Sequence, residues 1–248
     1  MQYHIGLEEN IGAKYAIIPG DPDRVEKIAA LLDNPRFVCR RREFTTWEGY
    51  INSQKVLVTS TGIGGSSASI AVEELIKCGV DTFIRIGTCG GMQLKVCGSD
   101  AVIAQAAVRM EGTSCEYMPI EYPAVADFDV ICALKDACDG LGINSHIGVV
   151  QSKDSFYGQH SPETMPVKGK LLSNWQAYID SGCLASEMET AAIYTVAGIR
   201  RVRAGSILHV LWNQERKKAG LEDIVSMDTS RTIEAAVKAI EMLIEKDK

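Results

Sequence analysis

One run of this chain passes from an apolar strand directly into glycine: Phe83-Ile84-Arg85-Ile86-Gly87-Thr88-Cys89-Gly90-Gly91. The apolar half predicts a buried β-strand, and the glycines predict that the strand ends there. Open α/β sheets bind ligands at the carboxyl ends of their strands, where free backbone N–H groups can hold an anion. A guanidinium inside a buried strand is costly unless an anion pairs with it, so Arg85 indicates an anion site.

Strands and helices alternate on both sides of this run. Further strands are predicted at residues 14–18, 55–60, 100–108, 146–152 and 203–211. Helices are predicted after Asp21, after Ser66 or Ser67, at 127–141, at 187–196 and close to the last residue. Residues 157–174 are the least regular and predict a surface or lid loop. The alternation predicts one α/β domain over residues 1–248, with a central mixed, mainly parallel β-sheet flanked by helices on both faces.

The composition argues against several classes of protein. Apolar residues make up 46% of the 248 positions, which is enough for a substantial core. A net charge of −6 opposes nucleic acid or an anionic membrane as the main partner. The first residues do not resemble a signal peptide, and no apolar run is long enough to span a bilayer. The eight cysteines form no C-x-x-C pair and no metal-ligand spacing with histidine, so we expect reduced thiols in a cytoplasmic protein.

Glycine-rich breaks follow three of the predicted strands. They lie at residues 19–24, 62–65 and 87–91. None reads G-x-G-x-x-G with an acidic partner and none is a P-loop, so a nucleotide cofactor is not expected. Most such breaks are tight turns, but two guanidiniums, Arg24 and Arg85, beside glycine backbone and the Thr88 hydroxyl suit a phosphate. The alternatives are a solvated Arg24, and an Arg85 buried in an ion pair with Glu43 or Glu189.

Two further segments carry groups that suit a nucleoside. Glu187 and Glu189 flank a methionine at a predicted helix start, where they either stabilise the helix dipole or clamp the diol of a sugar. Phe156 or Tyr157 can stack on a planar base while Gln159 bonds in its plane. The alternative for this second segment is an ordinary loop with an anchoring aromatic residue.

Seven ordered segments, covering nearly the whole chain, resemble the nucleoside phosphorylases of the hexameric, uridine-phosphorylase-like type. They are Pro19-Gly20-Asp21-Pro22-Asp23-Arg24-Val25, Arg42-Glu43-Phe44-Thr45-Thr46-Trp47, Ser60-Thr61-Gly62-Ile63-Gly64-Gly65, Ala71-Val72-Glu73-Glu74-Leu75, Arg85-Ile86-Gly87-Thr88, Tyr122-Pro123-Ala124-Val125-Ala126-Asp127-Phe128 and Glu187-Met188-Glu189. The resemblance implies the fold of that family. It also implies a homo-oligomer with active sites shared between subunits, a dimer unit within a hexamer.

The resemblance also implies a role for individual residues. Phosphate is expected to contact Gly20, Arg24, Arg85 and Thr88, with Arg42 from a neighbouring subunit. Ribose is expected to contact Thr88, Glu187, Met188 and Glu189, with His4 from the neighbour. The base is expected to contact Phe156 and Gln159. A monovalent cation such as potassium is expected to contact Glu43, Ile63 and Ser67, and no other cofactor is implied because phosphate is a co-substrate.

Three positions depart from the family pattern. The two arginines that usually bind uracil are replaced by Ser161 and Gln214, and Cys89 stands where many relatives have a second threonine. A thiol is a weak donor, so Cys89 is expected to weaken the phosphate or ribose contacts. We hypothesise that Arg216 or His160 substitutes for the lost arginines, or that the enzyme accepts other bases.

The expected reaction is phosphorolysis of a ribonucleoside, uridine above others, to the free base and ribose 1-phosphate. In it, Arg85 orients phosphate, Glu189 stabilises the cation-like sugar and Gln159 stabilises the departing base. Purine-type members carry an aspartate on the late strand, and its absence here favours a pyrimidine. The alternatives are a phosphorylase with relaxed or purine specificity, a hydrolytic nucleosidase, a non-catalytic nucleoside-binding module and a nucleotide-dependent oxidoreductase.

Overall fold

Ten strands form one sheet in the computed structural model, which describes residues 1–248. The strands are β1 Tyr15–Pro19, β2 Asp33–Arg41, β3 Phe44–Ile51, β4 Gln54–Thr59, β5 Thr82–Gly91, β6 Ala101–Met110, β7 Ala124–Val125, β8 Ser145–Lys153, β9 Ala185–Glu187 and β10 Arg203–Asn213. The α-helices are α1 Val25–Ala29, α2 Gly65–Lys77, α3 Thr113–Tyr117, α4 Phe128–Gly140, α5 Phe156–His160, α6 Lys168–Asp180, α7 Thr190–Arg200, α8 Gln214–Lys218 and α9 Ser230–Lys246. Short 3-10 helices lie at Pro22–Arg24 and Pro162–Thr164. None of the helices combines the length and hydropathy that crossing a membrane requires.

The sheet is mixed, with parallel pairing at its centre. The strand order is β10-β6-β8-β9-β5-β1-β4-β3-β2, with β7 beside β6. β1 pairs in parallel with both β4 and β5 and therefore lies between them. β2 and β3 extend the sheet with antiparallel pairs. β10 pairs with both β5 and β6, so β5, β10, β6, β8 and β9 close into a ring.

The central strand β5 sends its side chains into two separate cores. Phe83 packs beneath α2 and α7, whereas Ile84 and Ile86 pack beneath α4 and α9. This division arises because successive side chains of a strand point to opposite faces. The α/β class with helices on both faces is thereby confirmed. Arg85 shares the face of Phe83 and is only 2% exposed.

The prediction that the strand ends at its glycines is wrong. β5 continues to Gly91 because β10 pairs with it along its whole length. At Gly87 a Cβ would lie 2.6 Å from Leu208 Cδ2 and 2.8 Å from Arg85 Nη2. The glycine therefore lets neighbouring side chains approach the strand closely, and it does not terminate the strand.

The start of α2 also differs from the prediction. The helix begins at Gly65, directly after Gly64, whose φ of +91° favours glycine. Neither Ser66 nor Ser67 caps it. The Gly64 N–H instead donates to Glu189 Oε1 at 2.6 Å, so a carboxylate from a distant part of the chain occupies the helix N-terminus. The local sequence could not predict this contact, because its two partners lie 125 residues apart.

Two other predictions need correction. The helix expected from Glu187 begins at Thr190, because Glu187 is the last residue of β9, which pairs with β5 and β8. Residues 157–174, expected to be a loop, are mostly helical in α5 and α6. Ser155 starts α5 by accepting the Gly158 N–H at 2.9 Å, a side-chain cap that stabilises even a short helix.

Candidate active site

The two edges of β5 have different partners, and the difference creates a binding site. One edge pairs with β10 from Thr82 to Gly91. The other pairs with β1 as far as Ile86 and with β9 from Gly90. No strand pairs with this second edge at residues 87–89, which line the space between the diverging strands. Divergence at the carboxyl ends of parallel strands is where α/β sheets bind ligands.

A cavity of about 680 Å³ opens at this divergence. Its volume lies within the range of small-molecule sites, roughly 300–1,000 Å³. Most of the residues predicted from the sequence line it: Gly20, Arg24, Glu43, Ile63, Ser67, Arg85, Thr88, Phe156, Glu187, Met188 and Glu189. Folding therefore brings residues from distant parts of the chain to one place.

Arg85 is buried beneath the cavity and only partly paired. Its Nη2 donates to Glu187 Oε2 at 2.9 Å and to Glu189 Oε2 at 2.5 Å. Its Nε and Nη1 are buried without a hydrogen-bond partner, and Nη1 lies on the side of Gly20. The predicted ion pair with Glu189 is present, yet the nitrogens Nε and Nη1 stay unpaired. Leaving buried donors unpaired costs free energy, so we expect a ligand to accept hydrogen bonds from them.

Arg24 adds a second guanidinium to the same end of the cavity. Asp21 starts its 3-10 helix by accepting the Asp23 N–H at 2.9 Å. The Arg24 Nε lies 3.6 Å from Asp21 Oδ2, so the ion pair is loose. Burial lowers the pKa of Arg24, and the nearby charge of Arg85 lowers it further, against Asp21 and Glu189. The positive charges of the two guanidiniums repel each other, and an anion bound between them would relieve this repulsion.

The two carboxylates of the predicted ribose clamp differ in what they contact. Glu187 accepts the backbone N–H groups of Glu189 at 2.9 Å and Thr190 at 3.0 Å, and the Ser152 hydroxyl donates to it. Its oxygens are therefore occupied by hydrogen bonds from within the protein, and these bonds hold the start of α7 in place. Glu189 spans the Gly64 N–H and Arg85, and these contacts hold its carboxylate on the cavity wall.

Their pKa values are shifted in opposite directions. Burial alone would raise the pKa of Glu187, but Arg85, the Ser152 hydroxyl and two backbone N–H groups outweigh it and lower that pKa. Burial raises the pKa of Glu189, and the neighbouring charge of Glu187 adds to this, against Arg85. Glu187 is therefore the firmly ionised member of the pair, and Glu189 is the one that takes up a proton first.

Aromatic rings form the opposite wall of the cavity. The Phe156 and His160 rings lie 4.2 Å apart between centroids, and the His160 and Trp212 rings lie 5.9 Å apart. Burial lowers the pKa of His160, and the nearby Lys153 lowers it further, so the ring is neutral at neutral pH. Tyr157 is 68% exposed and does not line the cavity, so of the two candidates for stacking only Phe156 lies on its wall. The rings are tilted by 40° and 61° to one another, and an aromatic wall of this kind suits a planar heterocycle.

Gln159 does not line the main cavity. It borders a neighbouring cavity of about 440 Å³, and Ser186 Oγ lies 2.6 Å from its Oε1. Ser186, Lys153 and His160 connect the two spaces, of which Lys153 and His160 line both. Gln159 therefore meets the main cavity only through Ser186.

His4 and Arg42 also lie away from the cavity of their own chain. His4 Nδ1 lies 2.7 Å from Glu74 Oε1, and the His4 ring packs edge-on against Tyr3. The Arg42 guanidinium lies over the same Tyr3 ring, 5.8 Å from its centroid. The two predicted neighbour-contributed residues thus share one exposed cluster.

Sequence reasoning missed Lys153. It ends β8, lines the cavity and is only 5% exposed. The only signal is a lysine that follows the apolar pair Val149-Val150 by three residues, and it is weaker than the signal at Arg85 because Gln151 and Ser152 lie between. Of the two substitutes proposed for the lost arginines, His160 lines the cavity, whereas Arg216 donates to the Glu222 and Leu94 carbonyls outside it.

Comparison with known proteins gives consistent matches. The sequence model of the phosphorylase superfamily matches residues 14–246. A uridine phosphorylase of Treponema pallidum is 50% identical over 246 residues, 99% of this chain and 95% of the relative. A uridine phosphorylase of Escherichia coli is 41% identical over 251 aligned positions, 98% of each chain. A guanosine phosphorylase of Halorubrum lacusprofundi is 36% identical over 240 residues, 96% of this chain and 95% of the relative.

Proposed function

The chain belongs to the phosphorylase superfamily, and from this premise we propose that it catalyses the phosphorolysis of uridine to uracil and ribose 1-phosphate. It is then a pentosyltransferase: a phosphate oxygen attacks C1′ of the ribose as the bond from C1′ to the base breaks. Positioning of phosphate and nucleoside supplies much of the rate enhancement in a reaction of this kind.

The unpaired donors of Arg85 are the observation that carries this proposal. Nε and Nη1 are buried, lack any partner and border a cavity that Arg24 also lines. Phosphate offers several acceptor oxygens and two negative charges, so it satisfies both donors and relieves the repulsion between the guanidiniums. Gly20 and the Thr88 hydroxyl complete the proposed phosphate contacts.

Glu189 is the residue proposed to act on the sugar. Its carboxylate accepts the ribose hydroxyls and, with the phosphate, stabilises the positive charge that the ribose ring gains as the glycosidic bond breaks. Glu187 holds Glu189 and the start of α7 in place through two backbone N–H groups. Met188 packs against the ribose, and Thr88 is shared between ribose and phosphate.

Phe156 stacks on the base in this proposal, within the wall that also contains His160 and Trp212. Gln159 stabilises the departing base from the adjoining cavity, through Ser186 or after a side-chain rotation. Binding of the base then depends mainly on stacking and on the polar groups at Ser186.

A second copy of the chain is proposed to complete the site. His4 and Arg42 lie beside Tyr3 and outside their own cavity, while Glu43, the residue after Arg42, borders that cavity. A two-fold axis near Glu43 would bring His4 of the partner subunit to the ribose and Arg42 of the partner subunit to the phosphate. A hexamer built from such dimers, and the cytoplasmic location, remain proposals from the sequence.

The monovalent cation belongs to the same proposed dimer. Ser67 Oγ donates to Glu43 Oε1 at 2.8 Å, which places two oxygen ligands together at the cavity rim. Oxygen donors suit a hard cation, but one chain supplies only part of a coordination shell. Glu43, Ser67 and the neighbouring Ile63 would therefore hold potassium only together with their copies across the two-fold axis.

A broader base specificity is the second candidate. The guanosine phosphorylase among the relatives is similar over nearly its whole length, and Ser161 and Gln214 stand at the positions of the usual uracil-binding arginines. Gln214 borders only the adjoining cavity. The lack of a late-strand aspartate still favours a pyrimidine over a purine.

A phosphate-dependent substrate panel tests the proposal. Purified protein is incubated with uridine, thymidine, inosine, guanosine or adenosine, with and without phosphate, and free base and ribose 1-phosphate are quantified. We expect uracil release that requires phosphate and yields ribose 1-phosphate in equal amount. Equal release with and without phosphate would show a hydrolase. Faster cleavage of guanosine or inosine than of uridine would show the purine alternative.

A further inference from the structure

The ammonium group of Lys153 is buried with most of its hydrogen-bonding capacity unused. The side chain is 5% exposed, and Nζ donates one hydrogen bond, to Ser186 Oγ at 2.8 Å. Lys153 forms no ion pair. The nearby carboxylates of Glu187 and Glu189 are paired with Arg85 instead. An ammonium carries three donors, so two are left over. A buried cation with unused donors is costly unless a ligand accepts from it.

Lys153 lies on the base side of the cavity. The arginines gather at the other end, where Arg85 Nη1 lies near Gly20, and Arg24 responds to the charges of Asp21, Arg85 and Glu189. Lys153 lines both the main and the adjoining cavity together with His160, and its charge acts on that ring of the aromatic wall as well as on Glu189. Among the cations that line the main cavity, Lys153 is therefore the one beside the base.

Ser186 connects Lys153 with the amide of Gln159. Its Oγ accepts from Lys153 and lies 2.6 Å from Gln159 Oε1 and 2.7 Å from Gln151 Oε1. A serine hydroxyl has one proton, so it donates to one glutamine at a time. Because Lys153 occupies an acceptor position of Ser186, it directs that proton toward the glutamines. Lysine, serine and glutamine thus form one polar chain behind the base position.

The residues at the positions of the usual arginines supply no charge here. Ser161 is neutral and follows α5, and Gln214 directs its amide toward Glu215 at 3.3 Å. Arg216 is engaged by backbone carbonyls outside the cavity. A departing pyrimidine still needs stabilisation, because the electron pair of the broken bond remains on the base.

We propose that Lys153 is the cation of the base subsite, where its ammonium group donates to a carbonyl oxygen of the pyrimidine and stabilises the negative charge of the departing base. This inference rests on the proposed function and names a residue for one of its steps. The C1′–N1 bond breaks with its electron pair going to the base, and a phosphate oxygen forms the new bond to C1′. The hydrogen phosphate supplies the proton that neutralises the base, so Lys153 ends the cycle unchanged.

The protonation of Lys153 makes this role dependent on pH. Burial lowers the pKa of Lys153 to about 8, against the charges of Glu187, Glu189 and Cys89. These groups face it from β9, from the start of α7 and from β5, and His160 faces it from α5. The cation is present at neutral pH and is lost as the pH rises through about 8. The alternative role, a counter-charge for Glu187 and Glu189, needs no contact with the base.

Lys153→Met, compared with Lys55→Met, tests the proposal. Lys55 is a partly buried lysine that contacts Glu48 at 3.4 Å, far from the cavity, and its loss is expected to leave the kinetics unchanged. For Lys153→Met we expect a roughly 100-fold lower kcat for uridine, as for the loss of one charge-stabilising donor. The KM for phosphate stays unchanged, and the fall in kcat/KM above about pH 8 disappears. The defect shrinks with 5-fluorouridine, whose base leaves more readily.

Several results would overturn the proposal. An equal defect with uridine and 5-fluorouridine, a raised KM for phosphate, or an unchanged basic limb would show a counter-charge role. If Lys153→Met does not fold, Lys153→Gln is judged by the same readouts. If the wild-type protein does not cleave uridine with phosphate, the proposed function fails instead. Calorimetry with uracil then decides for Lys153, because equal affinity of wild type and variant at pH 7 would refute its contact with the base.

Discussion

Arg85 and Glu189 meet through a single guanidinium nitrogen, with 2.5 Å between Nη2 and Oε2. Glu187 contacts the same nitrogen at 2.9 Å. Both carboxylates thus use one side of the guanidinium and leave Nε and Nη1 unpaired. The arrangement holds the arginine in place and leaves free the two nitrogens that are proposed to hold phosphate. One residue therefore stabilises the fold and prepares the site.

Replacing Arg85 should reduce both stability and phosphate binding. Arg85→Met leaves Glu187 and Glu189 buried without their cation, which should lower the free energy of unfolding by about 3 kcal/mol. Arg24→Met is the matched control, since its ion pair with Asp21 is loose, at 3.6 Å. It should raise the KM for phosphate with little change in stability. Urea unfolding and initial rates measure the two effects, and equal destabilisation by both changes would contradict this account.

Glu189 should control the acid side of nucleoside binding. Its pKa is raised by burial and by Glu187, so it becomes protonated at a higher pH than an ordinary glutamate. A protonated Glu189 accepts the ribose hydroxyls poorly, so affinity for uridine should fall as the pH drops through this raised pKa. Calorimetry without phosphate removes the ionisation of phosphate from the measurement. Glu189→Gln should bind weakly at every pH, and an acid limb retained in this variant would assign it to another group.

A methyl group at position 87 should displace Arg85. The Cβ of Gly87→Ala would lie 2.8 Å from Arg85 Nη2 and 2.6 Å from Leu208 Cδ2, so the guanidinium has to move. A misplaced catalytic group costs up to about 100-fold in kcat/KM. The control is Gly140→Ala in α4, where a Cβ meets nothing within 4 Å and helix propensity improves. Wild-type rates in Gly87→Ala would mean that Arg85 does not need its present position.

Substitution of His160 should affect uridine binding, whereas substitution of Arg216 should not. His160 lies between Phe156 and Trp212, so His160→Ala should raise the KM for uridine about fivefold, the effect of losing about 1 kcal/mol of ring packing. Arg216→Ala removes bonds to the Glu222 and Leu94 carbonyls only and should leave that KM unchanged. A larger KM effect from Arg216→Ala than from His160→Ala would restore Arg216 as the substitute for the lost arginines.

Mixed assemblies should recover activity if the site is shared. Arg42→Ala and Arg85→Met each inactivate every site in a uniform assembly, the first through the neighbour and the second directly. When the two variants are unfolded, mixed and refolded together, some sites receive an intact Arg85 and an intact Arg42 from different chains. Activity in the mixture, absent from each variant alone, is expected. An active Arg42→Ala variant, or a mixture without activity, would count against the shared site.

The residues proposed to hold phosphate could be identified from the sequence because their signal is local. Arg85 stands out in an apolar strand that also carries Thr88, and Gly20 and Arg24 follow the end of β1, so the pairing of β1 with β5 brings them together. The signal at Lys153 was weaker, because Gln151 and Ser152 precede it in β8, and its burial became evident only with the cavity. Gln159 borders the adjoining space and not the main cavity, because Ser155 and the helix that it caps turn the glutamine in that direction.

The sequence by itself determined the alternation of strands and helices, the two faces of β5 and the residue types of the proposed phosphate site, since these depend on neighbours along the chain. Only the tertiary structure decided that β5 runs on through its glycines, because that required β10 beside it. It also gave the two carboxylates different contacts: Glu187 accepts hydrogen bonds from backbone N–H groups, while Glu189 contacts Gly64 and Arg85. Burial and long-range contacts set these roles, and the local sequence predicts neither.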